Sequence, residues 1–440
     1  GGSRAMKTIV MGAGVVGITT AYYLAKAGHE VVVLDRQNEA AAETSYANAG
    51  LIAPGHSFTW NSPRAPKLLV QSIWQRDLAY RMHFSLDPHF WLWGLKFLAA
   101  CTAGRARANT LVKLALCRYS QAKLEEIAAA EGLSYHQYRK GLLFFYRDPA
   151  HFALGVQNMT LMKDHGQSVE IIDAKRCVEI EPALKPIEGK IAGAVYCPND
   201  GSGDCQAFTV QLAEVCKRMG VKFELGCEVR GLETSGGKLA AVATARGAMS
   251  GDAYVLSLGS YSSLLARSAG LELPVYPVKG FSLTLPIEPK LAPTVGGVDE
   301  GSLVAYCGMG DRLRMTATAD FSGYDNSHKP ADFATMMAVA RELFPKGIDF
   351  SKPSYWSCLR PMTPDGPPII GPSPLGRLWY NTGQGHMGWT MSAGSSRILV
   401  DLMAGRKSEH PAQGLGIERY GSEGRRQRTD DERVKQKPAA

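Results

Sequence analysis

Lys7-Thr-Ile-Val-Met-Gly-Ala-Gly-Val-Val-Gly17 is the stretch on which the reading of this chain turns. Lys7 to Met11 is a short β-branched-rich run, which by length and flanks predicts a buried parallel strand. Gly12, Gly14 and Gly17 then turn the chain into a helix predicted over Val15–Lys26 and ended at Gly28. Glu30-Val-Val-Val-Leu34 predicts a second strand, closed by Asp35, 18 residues beyond Gly17. Such glycines are common in isolation, but between a strand and a helix, with an acid at this distance, they form a dinucleotide-binding fingerprint. Gly12 makes the tight turn, Gly14 admits a diphosphate to the backbone, and Gly17 brings helix and sheet together. Free N–H groups at the helix start favour the diphosphate, and Asp35 suits the two ribose hydroxyls. The motif leaves NAD and FAD both open.

The remaining chain bounds the class. Its 440 residues, 45% hydrophobic and 20% charged, predict two to three ordinary globular domains rather than a disordered or fibrous chain. The net charge is +8, part of it in a polar end segment, which is too weak for a nucleic-acid binder. Nine cysteines, odd in number and without a CxxC pair, indicate neither a disulfide framework nor a metal site. Reduced thiols and a cytoplasmic location are the expectation. Gly1–Ala5 reads as a vector scar. The glycines at 12, 14 and 17 interrupt any signal-peptide pattern, and no apolar run is long enough to span a bilayer.

Further along, helices are expected at 109–132, 173–184, 206–219, 331–343 and 389–404. Strands are expected at 141–147, 221–225, 227–232, 253–257, 275–286, 302–307, 311–318 and 378–381. From residue 421 the chain is polar and aperiodic. Phe90-Trp-Leu-Trp-Gly-Leu-Lys-Phe-Leu98 reads first as a helix burying its tryptophans; the alternative is an aromatic face lying peripherally on a membrane.

Three segments turn the fingerprint towards FAD. Glu43-Thr-Ser-Tyr-Ala-Asn-Ala-Gly-Leu51 follows the second strand, where flavoproteins wrap the ribityl chain and second phosphate. Asn381-Thr-Gly-Gln-Gly-His-Met-Gly388 leads into the last helix, and the positive end of that helix would favour a reduced, anionic flavin. Trp356-Ser-Cys-Leu-Arg-Pro-Met-Thr-Pro-Asp-Gly366 holds one arginine in a rigid, proline-bounded frame, and Arg360 suits bidentate capture of a carboxylate.

With Cys197-Pro-Asn-Asp-Gly-Ser-Gly-Asp-Cys-Gln206 and Val275-Tyr-Pro-Val-Lys-Gly-Phe-Ser282, these segments identify a resemblance to the D-amino acid oxidase-like flavoprotein family, nearest its dehydrogenase branch. The resemblance runs from Met6 to about Tyr420. It implies an α/β fold: a Rossmann-type FAD-binding domain joined to an α+β substrate or cap domain built on an antiparallel sheet. The FAD domain would take 6–54, 199–270 and 356–417, the cap 55–198 and 271–355, with 418–440 a disordered tail.

The resemblance further implies a non-covalent FAD lined by Gly12, Gly14, Val15, Val16, Gly17, Asp35, Arg36, Thr44, Ser45, Asn48, Ala49, Gly50, Leu51, Val229, Gly259, Gly383, Gly385, His386, Gly388, Trp389 and Thr390. Arg360 matches the arginine that grips the substrate carboxylate. Two positions depart from the family pattern: Cys358 stands where glycine is common, and Arg312–Ala319 lacks a usual Gly-Gly pair. The implied reaction is oxidative deamination of D-amino acids to 2-oxo acids and ammonia, with hydride leaving Cα for flavin N5. Electrons would pass to a quinone or another non-oxygen acceptor. The alternatives are an oxidase or dehydrogenase of N-substituted amino acids (proline, hydroxyproline, sarcosine, glycine or opine type) and a non-catalytic flavin-binding subunit. An NAD enzyme would explain only the first βαβ unit. No metal and no catalytic base is expected. His386 reads as a packing residue, and Lys279 stands at even odds between the site and an ordinary turn.

Overall fold

The computed structural model describes residues 4–74 and 80–424. The opening strand Lys7–Met11, the helix Val15–Lys26 and the strand Glu30–Leu34 fall where the apolar runs and glycines place them. They form the middle of a six-stranded sheet in the order 369–372, 378–382, 253–256, 7–11, 30–34, 222–224. All its pairings are parallel except the edge strand Ile369–Pro372 against Leu378–Thr382. The central strands are buried on both faces, which accounts for their unbroken β-branched runs.

On one face the helix Val15–Lys26 packs with the helices Cys205–Arg218 and Gly388–Met403 around Ile18, Phe208, Leu212, Trp389 and Leu399. The opposite face is covered by a three-stranded antiparallel sheet, 229–235, 238–244 and 247–249, which contributes Leu232, Leu239 and Val242. The helix expected from residue 109 starts earlier, at Ala103, and runs to Glu131. Thr102 caps it, its hydroxyl accepting the Arg105 N–H. Although it lies within 55–198, its Leu116, Cys117, Leu124 and Ile127 join the core beneath the parallel sheet.

The second sheet has nine strands and is mainly antiparallel. Its order is 354–362, 276–286, 312–321, 304–309, 297–299, 142–146, 193–197, 170–172, with 80–82 pairing onto 312–321. Its far face is closed by the helix Ala334–Leu343 and the 3₁₀ segment Pro182–Lys190, around Phe281, Leu283, Tyr306 and Phe333. A helix at Pro149–Asp164 adds to the same half of the molecule.

The expected order–disorder boundary at residue 418 is corrected. Ile417–Gly424 forms two 3₁₀ turns either side of a kink at Gly421, and Arg419 in the first donates to Asp365 Oδ2 (2.9 Å), to Asp365 Oδ1 (3.1 Å) and to the Pro367 carbonyl (2.6 Å). A cation with this many acceptors holds the segment against the body. The rest of the expected tail, and Gly1–Ser3 of the expected scar, lie outside the described residues.

The Phe90–Leu98 stretch divides its side chains. The helix Pro88–Ala99 buries Phe90, Trp93 and Phe97 with Tyr276 and Phe321, while Trp91, Leu92, Leu95 and Leu98 are exposed. Among the described residues no helix is long and apolar enough to cross a membrane, and no group of side chains has the makings of a metal site. All nine cysteines are buried and free.

Candidate active site

A cavity of about 720 Å³ lies between the carboxyl ends of the parallel strands and the face of the antiparallel sheet. Carboxyl ends of parallel strands are where open α/β sheets place their ligands. Gly12 leaves the first strand at φ +118°, and a Cβ there would stand 2.1 Å from the Ser257 carbonyl oxygen. Only glycine permits that approach. A Cβ on Gly17 would lie 1.8 Å from the Gly12 carbonyl oxygen, so Gly17 holds helix to strand and does not line the cavity.

Asp35 closes the second strand and fixes the turn. Its Oδ2 accepts the Ala13 N–H and its Oδ1 the Gln37 N–H, both at 2.8 Å. Burial raises its pKa, and the two backbone donors oppose that rise. Arg36 pairs with Glu43 and lies over the Tyr261 ring at 4.3 Å. Ser45 reaches back so that its Oγ accepts the Val15 N–H at 3.0 Å.

Several helices are capped by their own side chains, including Asp87, Asp148, Asp173 and Asp204. The two helices that open on the cavity, from Val15 and from Gly388, carry no side-chain cap. Apart from the Val15 N–H, which Ser45 takes, their first N–H groups and positive ends face a region suited to phosphate and anionic rings. Ser257 Oγ, in the wall, is buried without a hydrogen-bond partner among the described residues. A cradle that only glycine can form, an orphaned hydroxyl, uncapped helix ends and the Asp35 carboxylate together fit a dinucleotide of FAD size.

Of the residues expected around the cofactor, Gly14, Val15, Val16, Asp35, Arg36, Thr44, Ser45, Asn48, Ala49, Gly50, Leu51, Val229, Gly259, Gly385, His386, Gly388, Trp389 and Thr390 line this cavity with Gly12. Gly383 does not; it turns at φ +80° against Thr363. His386 stacks on Trp60, with ring centroids 5.3 Å apart. Burial, reinforced by Lys113, Arg360 and His56, pushes its pKa well below the ordinary value, so the imidazole is neutral. Lys279 is absent from the wall: its ammonium donates to the Ser327 carbonyl at 2.9 Å.

Arg360 is in the wall, on the strand Ser354–Met362, with its Nη1 donating to the Thr318 carbonyl at 2.8 Å. No carboxylate pairs with it among the described residues. Burial lowers its pKa from a very high starting value, so it stays cationic. The same cavity is lined by Trp60, Tyr80, Phe144 and His56, none singled out by the sequence reading. His56 stacks on Phe144 (5.0 Å) and its Nε2 meets Glu300 Oε1 at 2.9 Å. Behind them, burial raises the pKa of Asp200 to about 7 and lowers that of Lys113 to about 8. These residues come from separate strands, helices and loops, and nothing in their local sequence marks them as neighbours.

The fold and the cavity define a dinucleotide-dependent oxidoreductase, and the chain belongs to the family described as FAD dependent oxidoreductase (DAO), which it matches over residues 7–402. It is 45% identical to D-amino acid dehydrogenase 2 of Mesorhizobium japonicum, over 93% of this chain and 99% of that one. It is 42% identical to the D-amino acid dehydrogenase of Paramagnetospirillum magneticum, over 95% and 99% of the two chains. Among solved structures it shares its fold with L-proline dehydrogenase from P. horikoshii, at TM-score 0.73 and 17% identity over 95% and 98% of the chains. Glycine oxidase from Geobacillus kaustophilus matches at TM-score 0.71 and 21% identity, over 94% and 98%.

Proposed function

We propose that this protein oxidatively deaminates D-amino acids to 2-oxo acids and ammonia, with Arg360 as the carboxylate anchor. The observation that carries the reading is a half-buried guanidinium, unpaired with any carboxylate among the described residues, in the wall of the cavity that fits FAD. Relatives at 40–45% identity over nearly their whole length carry the D-amino acid dehydrogenase name. A glycine oxidase and an L-proline dehydrogenase appear among the fold neighbours at only 21% and 17% identity. The domain division is proposed as the parallel-sheet half holding FAD and the nine-stranded half covering it.

When bound, FAD supplies the two-electron acceptor, and the hard chemistry is the cofactor's. The residues of the chain position and exclude. Arg360 would hold the substrate carboxylate through two parallel N–H bonds, which fixes how Cα is presented. Holding the reactants in one geometry contributes roughly 7–11 kcal/mol to lowering the barrier. The substrate amine must be neutral when Cα gives up its hydride. The burial and, after it, the nearby Lys113, Arg360 and His56 that hold His386 neutral also favour loss of a proton from a bound ammonium, and no side chain is assigned as its base. The imine product adds water without a protein nucleophile. Trp60, Tyr80 and Phe144 supply the apolar walls that keep bulk water from the reacting carbon.

The electron acceptor is proposed to be a quinone or another non-oxygen carrier, reached at a membrane surface through the apolar patch of Trp91, Leu95 and Leu98 with Phe84. The test is anaerobic reduction of the purified yellow protein. D-amino acids are expected to bleach the flavin, with L-amino acids and sarcosine far slower, and in air a dye or quinone should be reduced much faster than oxygen. Bleaching by sarcosine or proline but not by D-amino acids would overturn the substrate class. Stoichiometric peroxide at high turnover would overturn the acceptor.

A further inference from the structure

Arg360 does not reach the cavity by its own strand alone. In the antiparallel sheet its strand is an edge; the neighbour is Tyr276–Pro286, and beyond that lies Arg312–Phe321. The middle strand pairs Lys279 with Asp320 and Phe281 with Ala317. One residue, Gly280, therefore faces two, Thr318 and Ala319, which makes a β-bulge opposite the glycine. On its other side Gly280 pairs with Cys358, and Val278 with Arg360. A Cβ built on Gly280 would stand 2.4 Å from Arg360 Cζ and Nη2 and 2.6 Å from Nε. The guanidinium therefore lies over the bare backbone of Gly280, and its Nη1 donates to the Thr318 carbonyl on the third strand.

Thr318 itself sits at φ +70°. For a β-branched residue this left-handed conformation is a genuine outlier, and bulges of this kind usually place glycine there. Strain of this sort persists where the surroundings impose it, and it gathers at functional sites. Here the strained residue is the one whose carbonyl fixes a substrate-facing arginine. With Nη1 engaged, Nε and Nη2 have no partner among the described residues and lie over the open backbone.

We infer that Gly280 and the bulge at Thr318 are positioning residues that form a seat for Arg360. Gly280 supplies the space, and the Thr318 backbone supplies the acceptor that sets the rotation of the fork. This rests on the reading of Arg360 as the carboxylate anchor, and the experiment separates the two. The FAD-loaded protein and its Gly280→Ala, Thr318→Gly and Arg360→Leu variants are titrated with benzoate, a carboxylate without an amine, following the flavin absorbance. KM and kcat for a D-amino acid, FAD content and Tm are measured alongside.

Gly280 has no left-handed backbone requirement, and the nearest atoms to its missing Cβ are the far end of a flexible side chain. Gly280→Ala is therefore expected to fold and hold FAD. Its displaced guanidinium should weaken benzoate binding and raise KM about tenfold or more, with kcat/KM falling on the order of 10²-fold. Thr318→Gly keeps the carbonyl and relieves the left-handed strain, so an equal or higher Tm is expected. If Arg360→Leu abolishes benzoate binding while Gly280→Ala binds and turns over like wild type, the seat is wrong and the anchor stands. A clearly lower Tm in Thr318→Gly would show that the left-handed position carries no strain and would overturn the bulge's role. Unaltered benzoate binding in Arg360→Leu would remove the anchor itself.

Discussion

Arg360 is half-buried, cationic and bonded to a single carbonyl among the described residues, an arrangement that a bound carboxylate would complete. Removing one partner of a buried ion pair costs about 3–5 kcal/mol, which corresponds to roughly a 10²–10⁴-fold loss of kcat/KM. Arg360→Leu is expected to show that loss in steady-state assays while retaining FAD, since the cofactor is held by other loops. Arg360→Lys should be impaired as well, because an ammonium keeps the charge but not the fork. Asp200 offers a second prediction, for stability. Burial raises its pKa to about 7, against about 3.9 in an unfolded chain. Between these values the folded state holds a proton that the unfolded state has lost. The contribution of Asp200 is therefore fully present below about pH 4 and is lost as pH rises to about 7. Asp200→Asn should flatten the fall of Tm between pH 5 and pH 8; a variant with the wild-type slope would place the titration elsewhere. At this scale the sequence showed what a local pattern can carry: Gly12, Asp35 and Arg360 announced themselves through fixed neighbours. His56, Gly280 and Thr318 did not, because their roles depend on side chains more than 40 residues away.

Among the elements, the first βαβ unit was legible to the residue because strand, turn and cap signals agree over a short span. The helix from Ala103 was read too short because Ala103–Ala108 carries arginines and no apolar stripe, although Thr102 is a proper cap. The helix at Pro149–Asp164 was missed despite an Asp-Pro start signal. The bulge at Thr318 could not be read at all, since it exists only as a mismatch between two strands. The turn into the helix Cys205–Arg218 yields a prediction at this scale. Asp204 accepts the Ala207 N–H at 3.1 Å as a cap and pairs with Arg312 of the nine-stranded sheet at 2.6 Å. It ties a helix of one half of the molecule to a strand of the other. Asp204→Ala should lose about 1 kcal/mol for the cap and a further 1–2 kcal/mol for the partly exposed charged bond. Thermal unfolding in the presence and absence of added FAD would report it, and an unchanged Tm would show that the tie contributes nothing.

For the whole molecule, the parallel sheet was legible from the motif order, whereas the packing of the helix Ala103–Glu131 beneath it was not. Nor was the partition of the helix Pro88–Ala99, whose buried and exposed aromatics alternate too closely for periodicity to separate. Trp91 is 53% and Leu95 64% exposed, with Phe84 beside them at 83%. Substituting Trp91, Leu95 and Leu98 by serine together should reduce co-sedimentation with anionic lipid vesicles at least several-fold and leave dye-linked turnover intact; equal sedimentation would remove the membrane reading. The order of the parallel sheet carries one more consequence. The first strand is flanked by Glu30–Leu34 and Ala253–Leu256, and Leu378–Thr382 lies beyond. At a synthesis rate of about 5–20 residues per second, the ribosome releases the opening strand roughly 20–70 s before the strand at 378–382 exists. For all that time the glycine turn has no completed sheet behind it. The nascent chain therefore carries an exposed, β-branched edge that chaperones must shield, and the flavin can be captured only after translation has nearly finished.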